Sequence, residues 1–314
     1  MQISVYDVFA ERPYAGNQAA VIRAGRLPLT DGQLVALAGE LSLAETASVS
    51  TRGANIALRF ATAKGIINRC GHATLASVAD HVLTAANKSA AHQWSGRYRV
   101  GRSVAAWHAR SAGTSSRVAS HADGLDVAVA WPDRPQFVAA LPLRPIARAL
   151  SLEIDNFAGA WPRCIYDSGN LNGLVPVRSM RILASAKPDW MRLKGLFAEL
   201  NLTDLHIYCI EKIPRGSGVV RLRCRNVFPY GVFEETATGT ASVALATALI
   251  DHLPALRDAD AAEFAFVQGI ASRRGKLRVR FCAESRDRAA IWLEGRVFRI
   301  LTGELLSMPI RGGR

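Results

Sequence analysis

Two segments of the chain, separated by about half its length, are imperfect copies of each other. Residues 70–76 read CGHATLA and residues 238–244 read TGTASVA. In each, a glycine is followed directly by small and apolar residues at helical spacing. A chain of 314 residues is long enough for two domains of ordinary size. The repeat therefore predicts two domains that share one architecture.

The order of secondary structure supports this division. Strand-like segments, one glycine-started apolar helix and further strand-like segments occur twice along the chain. We expect an N-terminal domain over residues 1–124 and a C-terminal domain over residues 125–314. The boundary is placed in the segment after residue 87, which is rich in Ser, Ala, Arg and Gly. The fold class predicted is α+β, with one central helix in each domain.

The two helix starts also indicate a ligand. The first N–H groups of a helix have no partner within it, and they lie at the positive end of the helix dipole. Two such starts, at Gly71 and Gly239, would hold an anion such as a carboxylate if they faced one cleft.

Composition excludes several classes of protein. The hydrophobic share of 49% and the charged share of 21% are those of a globular protein, and no apolar run approaches the ~18 residues of a membrane span. The start of the sequence lacks the pattern of a signal peptide, so we expect a cytoplasmic protein. The net charge of +13 comes from dispersed arginines without interleaved aromatic residues, which disfavours nucleic-acid binding.

Metal and disulfide sites are not indicated by the cysteines. The five are scattered without Cys-x-x-Cys or His/Cys clusters, so we expect reduced thiols and no metal centre. They are Cys70, Cys164, Cys209, Cys224 and Cys282.

Glu45 is the first candidate for chemistry. Residues 42–45 match the S-x-x-E capping box, but that interpretation requires a helix to follow. Residues 46–50 (TASVS) are instead mostly β-branched or hydroxylated, which places Glu45 at a junction between a loop and a strand. A carboxylate in this apolar stretch would have its pKa raised by desolvation, as a general acid or base near neutral pH requires.

Three further residues flank the two helix starts. His72 follows Gly71, where the positive end of the dipole favours the neutral imidazole. Glu235 and Thr240 lie on either side of the second start and could complete a proton-relay set. Further along the first helix, Asp80 and His81 are expected to face solvent.

Cys70 and its counterpart in the repeat help to distinguish between possible reactions. A two-base racemase needs a thiol or an equivalent base on each face of the substrate carbon. The repeat partner of Cys70 is Thr238, whose hydroxyl is too weak a base. A symmetric two-base mechanism is therefore disfavoured.

At these residues the sequence resembles the phenazine-biosynthesis PhzF-like isomerase family, which is similar in fold to diaminopimelate epimerase and proline racemase. The matching motifs run in family order along nearly the whole chain. They are residues 16–21 (GNQAAV), 43–47 (LAETA), 70–76 (CGHATLA), 234–241 (EETATGTA), 268–269 (QG), 293–296 (LEGR) and 303–305 (GEL).

The resemblance implies two pseudo-symmetric diaminopimelate epimerase-like domains, each a strongly curved sheet around a central helix. It also implies an active site between the domains, a homodimer, and a cofactor-independent isomerisation of trans-2,3-dihydro-3-hydroxyanthranilate or a similar carboxylate. Glu45 would take and return the proton, assisted by His72, Glu235 and Thr240. The substrate would be bound by Asn17, Gly71, Ala73, Gly169 and Gly239.

The chain departs from the family pattern near its second helix start. Family members usually have Asp-Pro-Ala-Thr-Gly-Ser where residues 235–240 read ETATGT. Two alternatives are left open beside the isomerase. One is an epimerase or dehydratase that uses Cys70 as a base, and the other is a non-catalytic small-molecule-binding protein on the same fold.

Overall fold

The computed structural model describes residues 1–23, 28–52, 55–85, 93–111, 124–214, 218–228, 234–253, 256, 261–269, 273–285 and 288–307. The strands are β1 (Gln2–Val8), β2 (Asn17–Arg23), β3 (Glu45–Arg52), β4 (Asn55–Thr62), β5 (Gly65–Ile67), β6 (Gln93–Val100), β7 (Ser103–Ser111), β8 (Leu125–Trp131), β9 (Gln136–Ala140), β10 (Cys164–Asp167), β11 (Leu171–Pro176), β12 (Asp204–Lys212), β13 (Val219–Val227), β14 (Glu234–Glu235), β15 (Ala261–Gln268), β16 (Gly275–Ser285) and β17 (Arg288–Glu304). The helices are α1 (Asp31–Leu41), α2 (Gly71–Ala85), α3 (Leu143–Leu150), α4 (Met180–Ser185), α5 (Trp190–Leu200) and α6 (Gly239–His252).

The chain divides into two compact units. The first comprises Met1–Pro132 together with Leu293–Arg314, and the second comprises Asp133–Trp292. The boundary expected after residue 124 lies within the first unit instead, because β8 pairs with β7 and β17. The end of the chain returns to the first unit, since β17 also pairs with β1. Residues 112–123 of the expected boundary segment lie outside the described residues.

The first unit is a closed barrel of eight strands. Its order is β1-β2-β3-β4-β6-β7-β8-β17, and β17 returns to β1. The pairs β2–β3 and β4–β6 are parallel, and a parallel pair needs a crossover connection. The first crossover contains α1, and the second contains α2.

The helix α2 is the core of this barrel. It contacts β1, β2, β3, β4, β7 and β8, and its first ten residues are all buried. A helix without a polar face fits only such a position. Its buried hydroxyl groups donate within the helix: Thr74 Oγ1 donates to Cys70 O at 2.7 Å, and Ser77 Oγ donates to Ala73 O at 2.7 Å.

The second unit repeats this topology. The strands β10 to β13 pair as antiparallel, parallel and antiparallel neighbours, and β13–β15 is again parallel. The helix α6 contacts β10 and β11 at one end of this series and β16 at the other, so the sheet curves around it. Ser242 Oγ donates to Thr238 O at 2.9 Å, as Thr74 does to Cys70 in the first unit. The predicted α+β class, with one central helix in each repeat, is confirmed.

Strand register shows which residues correspond between the units. In the parallel pair β2–β3, Ala19 lies opposite Glu45, and in the parallel pair β11–β12, Asn172 lies opposite Asp204. Asp204 is therefore the counterpart of Glu45, since each begins its strand.

The expectation that Asp80 faces solvent is wrong. Asp80 is 1% exposed, because α2 is enclosed by the barrel. Its carboxylate accepts a hydrogen bond of 2.8 Å from Tyr6 Oη, and Arg23 Nε lies 2.6 Å from its other oxygen. His81 is partly buried and packs its ring edge against Trp107.

The five cysteines are free thiols, as expected. Among the described residues, no helix is both long enough and apolar enough to cross a membrane.

Candidate active site

Glu45 is the first residue of β3, and the local sequence explains why no helix contains it. Ser42 ends α1 in the left-handed region with φ 51° rather than capping a following helix, so the capping-box interpretation fails. Glu45 then begins a strand, as the β-branched segment after it predicts. Its side chain retains 16% exposure. The carboxylate is thus held on a rigid element while still open to a small molecule.

His72 lies next to this carboxylate. The two side chains form an ion-pair contact of 2.8 Å between His72 Nε2 and Glu45 Oε2. The other ring nitrogen, Nδ1, lies 3.3 Å from Asn17 Nδ2 and 3.5 Å from Cys70 Sγ. Both nitrogens of His72 therefore face groups that exchange or share protons.

The charge state of His72 differs from the sequence expectation. Burial opposes the charged ring, but the adjacent Cys70 and Glu45 side chains outweigh it and raise the pKa of His72 well above its usual value. The helix dipole favours the neutral ring, and it is overcome by these direct contacts. This direction favours the charged His72 ring beside the Glu45 carboxylate.

Asn17 completes the arrangement around the ring. Its amide N–H donates to Nδ1 when that nitrogen is unprotonated, and a turn of the amide presents its oxygen to a protonated Nδ1. The preceding Gly16 has φ +67°, and a Cβ there would lie 2.2 Å from Val8 O. Only glycine fits this turn, which brings Asn17 to the start of β2.

Cys70 is fully enclosed beside His72. Burial raises the pKa of the Cys70 thiol, and Glu45 acts in the same direction, while His72 partly opposes them. The N–H of Ala73 donates to Cys70 Sγ at 3.4 Å. Ligand atoms of Glu45, Cys70 and His72 lie within 4.8 Å of one another. Among the residues that the structure describes, these three side chains could together hold a metal ion.

The second unit carries its own polar group at the start of α6. Thr238 donates its hydroxyl proton to Glu235 Oε2 and accepts a hydrogen bond of 2.9 Å from Gln268 Nε2. Gln268 Nε2 also donates to Glu235 O at 2.9 Å, and Gln268 Oε1 accepts from the N–H of Thr238 at 3.0 Å. This network fixes the Glu235 carboxylate as a hydrogen-bond acceptor.

The neighbouring residue Glu234 anchors the same segment. Arg225 is 3% exposed and forms a bidentate pair with Glu234, and it also donates to the backbone oxygens of Leu183 and Ala186 at 2.6 and 2.7 Å. The short strand β14 is therefore tied to β13 and to the residues around α4. These contacts fix the backbone of the segment that carries Glu235.

The other residues that the sequence predicts to bind substrate or to assist proton transfer lie at the starts of α2 and α6 and just before β11. Gly71 and Gly239 begin α2 and α6 as predicted. Thr240 is buried in the first turn of α6. Gly169 has φ +97° just before β11, and its N–H donates to Asp167 Oδ1 at 2.8 Å. The structure places Glu45, His72 and Asn17 together, and separately places Glu235 beside Thr238.

Comparison with known proteins identifies the family. The family model described as "Phenazine biosynthesis-like protein" matches residues 6–302. The chain belongs to this PhzF family. The resemblance predicted from the motifs is confirmed.

Relatives and solved structures agree with the assignment. A Pseudomonas aeruginosa protein named as an uncharacterized isomerase is 29% identical over 255 residues, covering 78% of this chain and 81% of the relative. A PhzF-family phenazine biosynthesis protein of Bacillus anthracis matches with TM-score 0.78 at 20% identity, covering 98% of this chain and 99% of that one. A probable proline racemase of Agrobacterium radiobacter matches with TM-score 0.62 at 12% identity, covering 99% and 94%. These two structures share the fold, as the predicted epimerase-like architecture requires.

Sequence reasoning missed one group of this PhzF-family chain. Asp204, Asn172 and His206 are completely buried in the second unit and lie near the start of β12. A signal was present, because residues 169–172 (GNLN) repeat residues 16–19 (GNQA). When these two segments are aligned, Asn172 corresponds to Ala19. Since Ala19 lies opposite Glu45, the residue opposite Asn172 is the counterpart of Glu45.

Proposed function

We propose that this chain is an isomerase that moves a proton on a small unsaturated or cyclic carboxylate, with Glu45 as the acid/base group and no cofactor in the reaction. The observation that carries the proposal is the 2.8 Å contact between Glu45 and His72. A carboxylate on a strand end, paired with a buried imidazole, can accept a proton from carbon and return it to another atom.

Isomerase activity is supported by the relatives. The chain belongs to the PhzF family, and a curated relative, 81% of which is covered, is named as an uncharacterized isomerase. The proposed substrate class comes from the family resemblance. It resembles trans-2,3-dihydro-3-hydroxyanthranilate in having a carboxylate next to an unsaturated carbon skeleton.

Each unit supplies residues with distinct proposed tasks. His72 stabilises the charge that changes on Glu45 during proton transfer, since the two side chains are in contact. Asn17 orients the His72 ring. Glu235 and Thr240 are proposed to assist proton transfer, and Gly71, Gly169 and Gly239 to bind the substrate. Ala73 is the weaker binding candidate, because its N–H donates to Cys70 Sγ.

Solvent exchange tests the proposal directly. The protein is incubated in deuterated buffer with trans-2,3-dihydro-3-hydroxyanthranilate and with a panel of cyclic and unsaturated carboxylates. Deuterium in the product is measured by NMR. Glu45→Gln should lower the exchange rate at least ~100-fold, because general acid–base catalysis contributes ~10²–10⁴-fold.

Glu40→Gln is the matched control, since Glu40 is an exposed glutamate near the end of α1. This variant should exchange at the wild-type rate. Full activity in Glu45→Gln, or a product without deuterium, would contradict the proposal. Ligand-induced stabilisation without turnover for every carboxylate in the panel would instead favour a binding protein.

One observation favours a second reaction class. Cys70 Sγ lies 3.5 Å from His72 Nδ1, so a thiol, an imidazole and a carboxylate are in sequence. This order is the one that activates a cysteine base. An epimerase or dehydratase that uses Cys70 is therefore the second candidate. Assembly as a homodimer is a separate proposal, which sedimentation velocity tests.

A further inference from the structure

The two units differ in the polarity of corresponding strand positions. Register aligns five apolar residues of the first unit with five polar residues of the second. The apolar set is Ala19, Ala47, Phe60, Ile67 and Val100, and the corresponding polar set is Asn172, His206, Asn226, Glu235 and Gln268. The members of the polar set are at most 6% exposed. Since burying polar groups is costly, this set needs a physical explanation.

Asp204 lies within this polar set. It is completely buried, and its Oδ2 accepts a hydrogen bond of 2.7 Å from Asn172 Nδ2. The orientation of that amide is fixed, because Asn172 Oδ1 accepts a 2.7 Å hydrogen bond from Ser168 Oγ. Asp204 Oδ1 is buried without a hydrogen-bond partner in the described part of the chain.

A charged carboxylate is unfavourable in this position. No cationic side chain among the described residues pairs with Asp204, and transferring an unpaired carboxylate from water costs several kcal/mol. Burial raises the pKa of Asp204 well above its usual value, the Asn172 hydrogen bond partly opposes this, and the negative charge of Glu235 raises it further. The neutral acid carries its proton on Oδ1, since Oδ2 is already an acceptor.

Glu235 is in the opposite situation. Its Oε2 accepts the Thr238 hydroxyl proton, and that hydroxyl cannot donate elsewhere because Gln268 Nε2 donates to it. The hydrogen bond stabilises an ionised Glu235. Two carboxyl groups with environments that separate their protonation states are the arrangement from which acid and base roles arise.

We propose that Asp204 is a neutral carboxylic acid at pH 7 and that Glu235 is ionised. Asp204 is then a positioning residue, which avoids a second negative charge in the buried polar set that contains Glu235. The link to catalysis rests on the proposed function, whereas the protonation of Asp204 in the free protein is independent of it.

The surrounding titratable groups are few. Glu235 acts on Asp204 from β14, and His206 lies two residues away on the same face of β12. Burial lowers the pKa of His206 to about 4, so it is neutral at pH 7 and adds no charge. Asn172 of β11 and Asn226 of β13 do not titrate.

Infrared spectroscopy of the free protein locates the proton. At pH 7 the wild type should show the C=O stretch of a protonated carboxyl group, shifted in D₂O. This band should vanish in Asp204→Asn and persist in Glu235→Gln. Loss of the band in Glu235→Gln alone, or its absence from the wild type, would overturn the proposal. Glu199→Gln is the control, since Glu199 is exposed on α5.

A second measurement needs no variant. In wild-type protein labelled with ¹³C at the aspartate Cγ, one resonance should keep the shift of a neutral acid at pH 7. If every aspartate resonance titrates below pH 7, Asp204 is ionised and the proposal fails. Asp204→Asn keeps this position uncharged and should leave the alkaline limb of the exchange rate, which we assign to His72, at the wild-type pH. Absence of exchange in wild type would reject the proposed function, while the spectra would still decide where the proton lies.

Discussion

Glu45 Oε2 lies 2.8 Å from His72 Nε2, and Cys70 Sγ lies 3.5 Å from the other nitrogen of the same ring. The imidazole thus stands between a carboxylate and a thiol that are both potential bases. Burial and Glu45 raise the pKa of the Cys70 thiol. The Glu45 side chain, in contrast, keeps 16% of its surface exposed. Glu45 is the group positioned to meet a substrate.

Replacing His72 should slow the reaction and change its pH dependence. His72→Gln removes the partner of Glu45 and should lower the exchange rate by ~10²–10³-fold. The pKa of His72 is raised, so the imidazolium is present below that pKa and is lost as pH rises through it. The wild-type rate should therefore fall at alkaline pH.

The deuterium exchange rate of His72→Gln should not show this fall at alkaline pH, which is the alkaline limb of the wild-type profile. His108→Gln, at an exposed position on β7, provides the control and should retain the wild-type profile. The measurement is the deuterium exchange rate between pH 6 and 10. Identical profiles for wild type and His72→Gln would show that His72 does not set the limb.

Replacing Cys70 distinguishes the two reaction classes. If Glu45 is the base, Cys70→Ser should reduce turnover by less than about tenfold, since only packing and the contacts with Ala73 and the His72 ring change. If the thiol is the base, the loss should reach ~10²–10⁴-fold. Initial rates for both Cys70→Ser and Cys70→Ala decide between these outcomes.

The barrel of the first unit depends on the Tyr6–Asp80–Arg23 network. Asp80→Asn leaves the Arg23 charge without its partner and should lower the free energy of unfolding by about 3–5 kcal/mol. Tyr6→Phe removes one hydrogen bond and should cost about 1 kcal/mol. Urea denaturation measures both.

Asp31→Asn is the matched control, because Asp31 pairs with Arg59 at an exposed site. Its effect should stay below about 1 kcal/mol. An equal effect of Asp80→Asn and Asp31→Asn would mean that the buried network does not stabilise the barrel.

His206 should make the second unit sensitive to acid. Burial lowers its pKa from about 6.5 in the unfolded chain to about 4, so the unfolded state binds more protons between these values. The neutral His206 ring contributes its full stabilisation of the folded state, about 3 kcal/mol, above pH 6.5. This stabilisation is lost as the pH falls from about 6.5 through about 4. His206→Gln should flatten this part of the stability curve.

The measurement compares unfolding free energies of wild type and His206→Gln at pH 7, 5.5 and 4. Other carboxyl groups, including Asp204, titrate in both proteins and cancel in the difference. A constant difference over this pH range would show that His206 is accessible to protons in the folded state.

Local patterns were sufficient for much of the site. The glycine helix starts predicted α2 and α6, and the β-branched residues after Glu45 predicted β3, because turn and strand preferences act over a few residues. The contact between Glu45 and His72 was implied by family resemblance rather than by spacing, since the two residues come from different elements. Helical periodicity gave the wrong exposure for Asp80, because a helix enclosed on all sides has no solvent face.

The two-fold repeat, the central helices, the family and the asymmetry between Cys70 and Thr238 were already evident in the amino-acid sequence. Each follows from residue order, motifs and local backbone preference. Strand pairing and burial were needed to show that Asp204 corresponds to Glu45, that His72 contacts the Glu45 carboxylate and that Asp80 is buried. These depend on which strands pair and which groups lose water, and burial and charge act through space rather than along the chain.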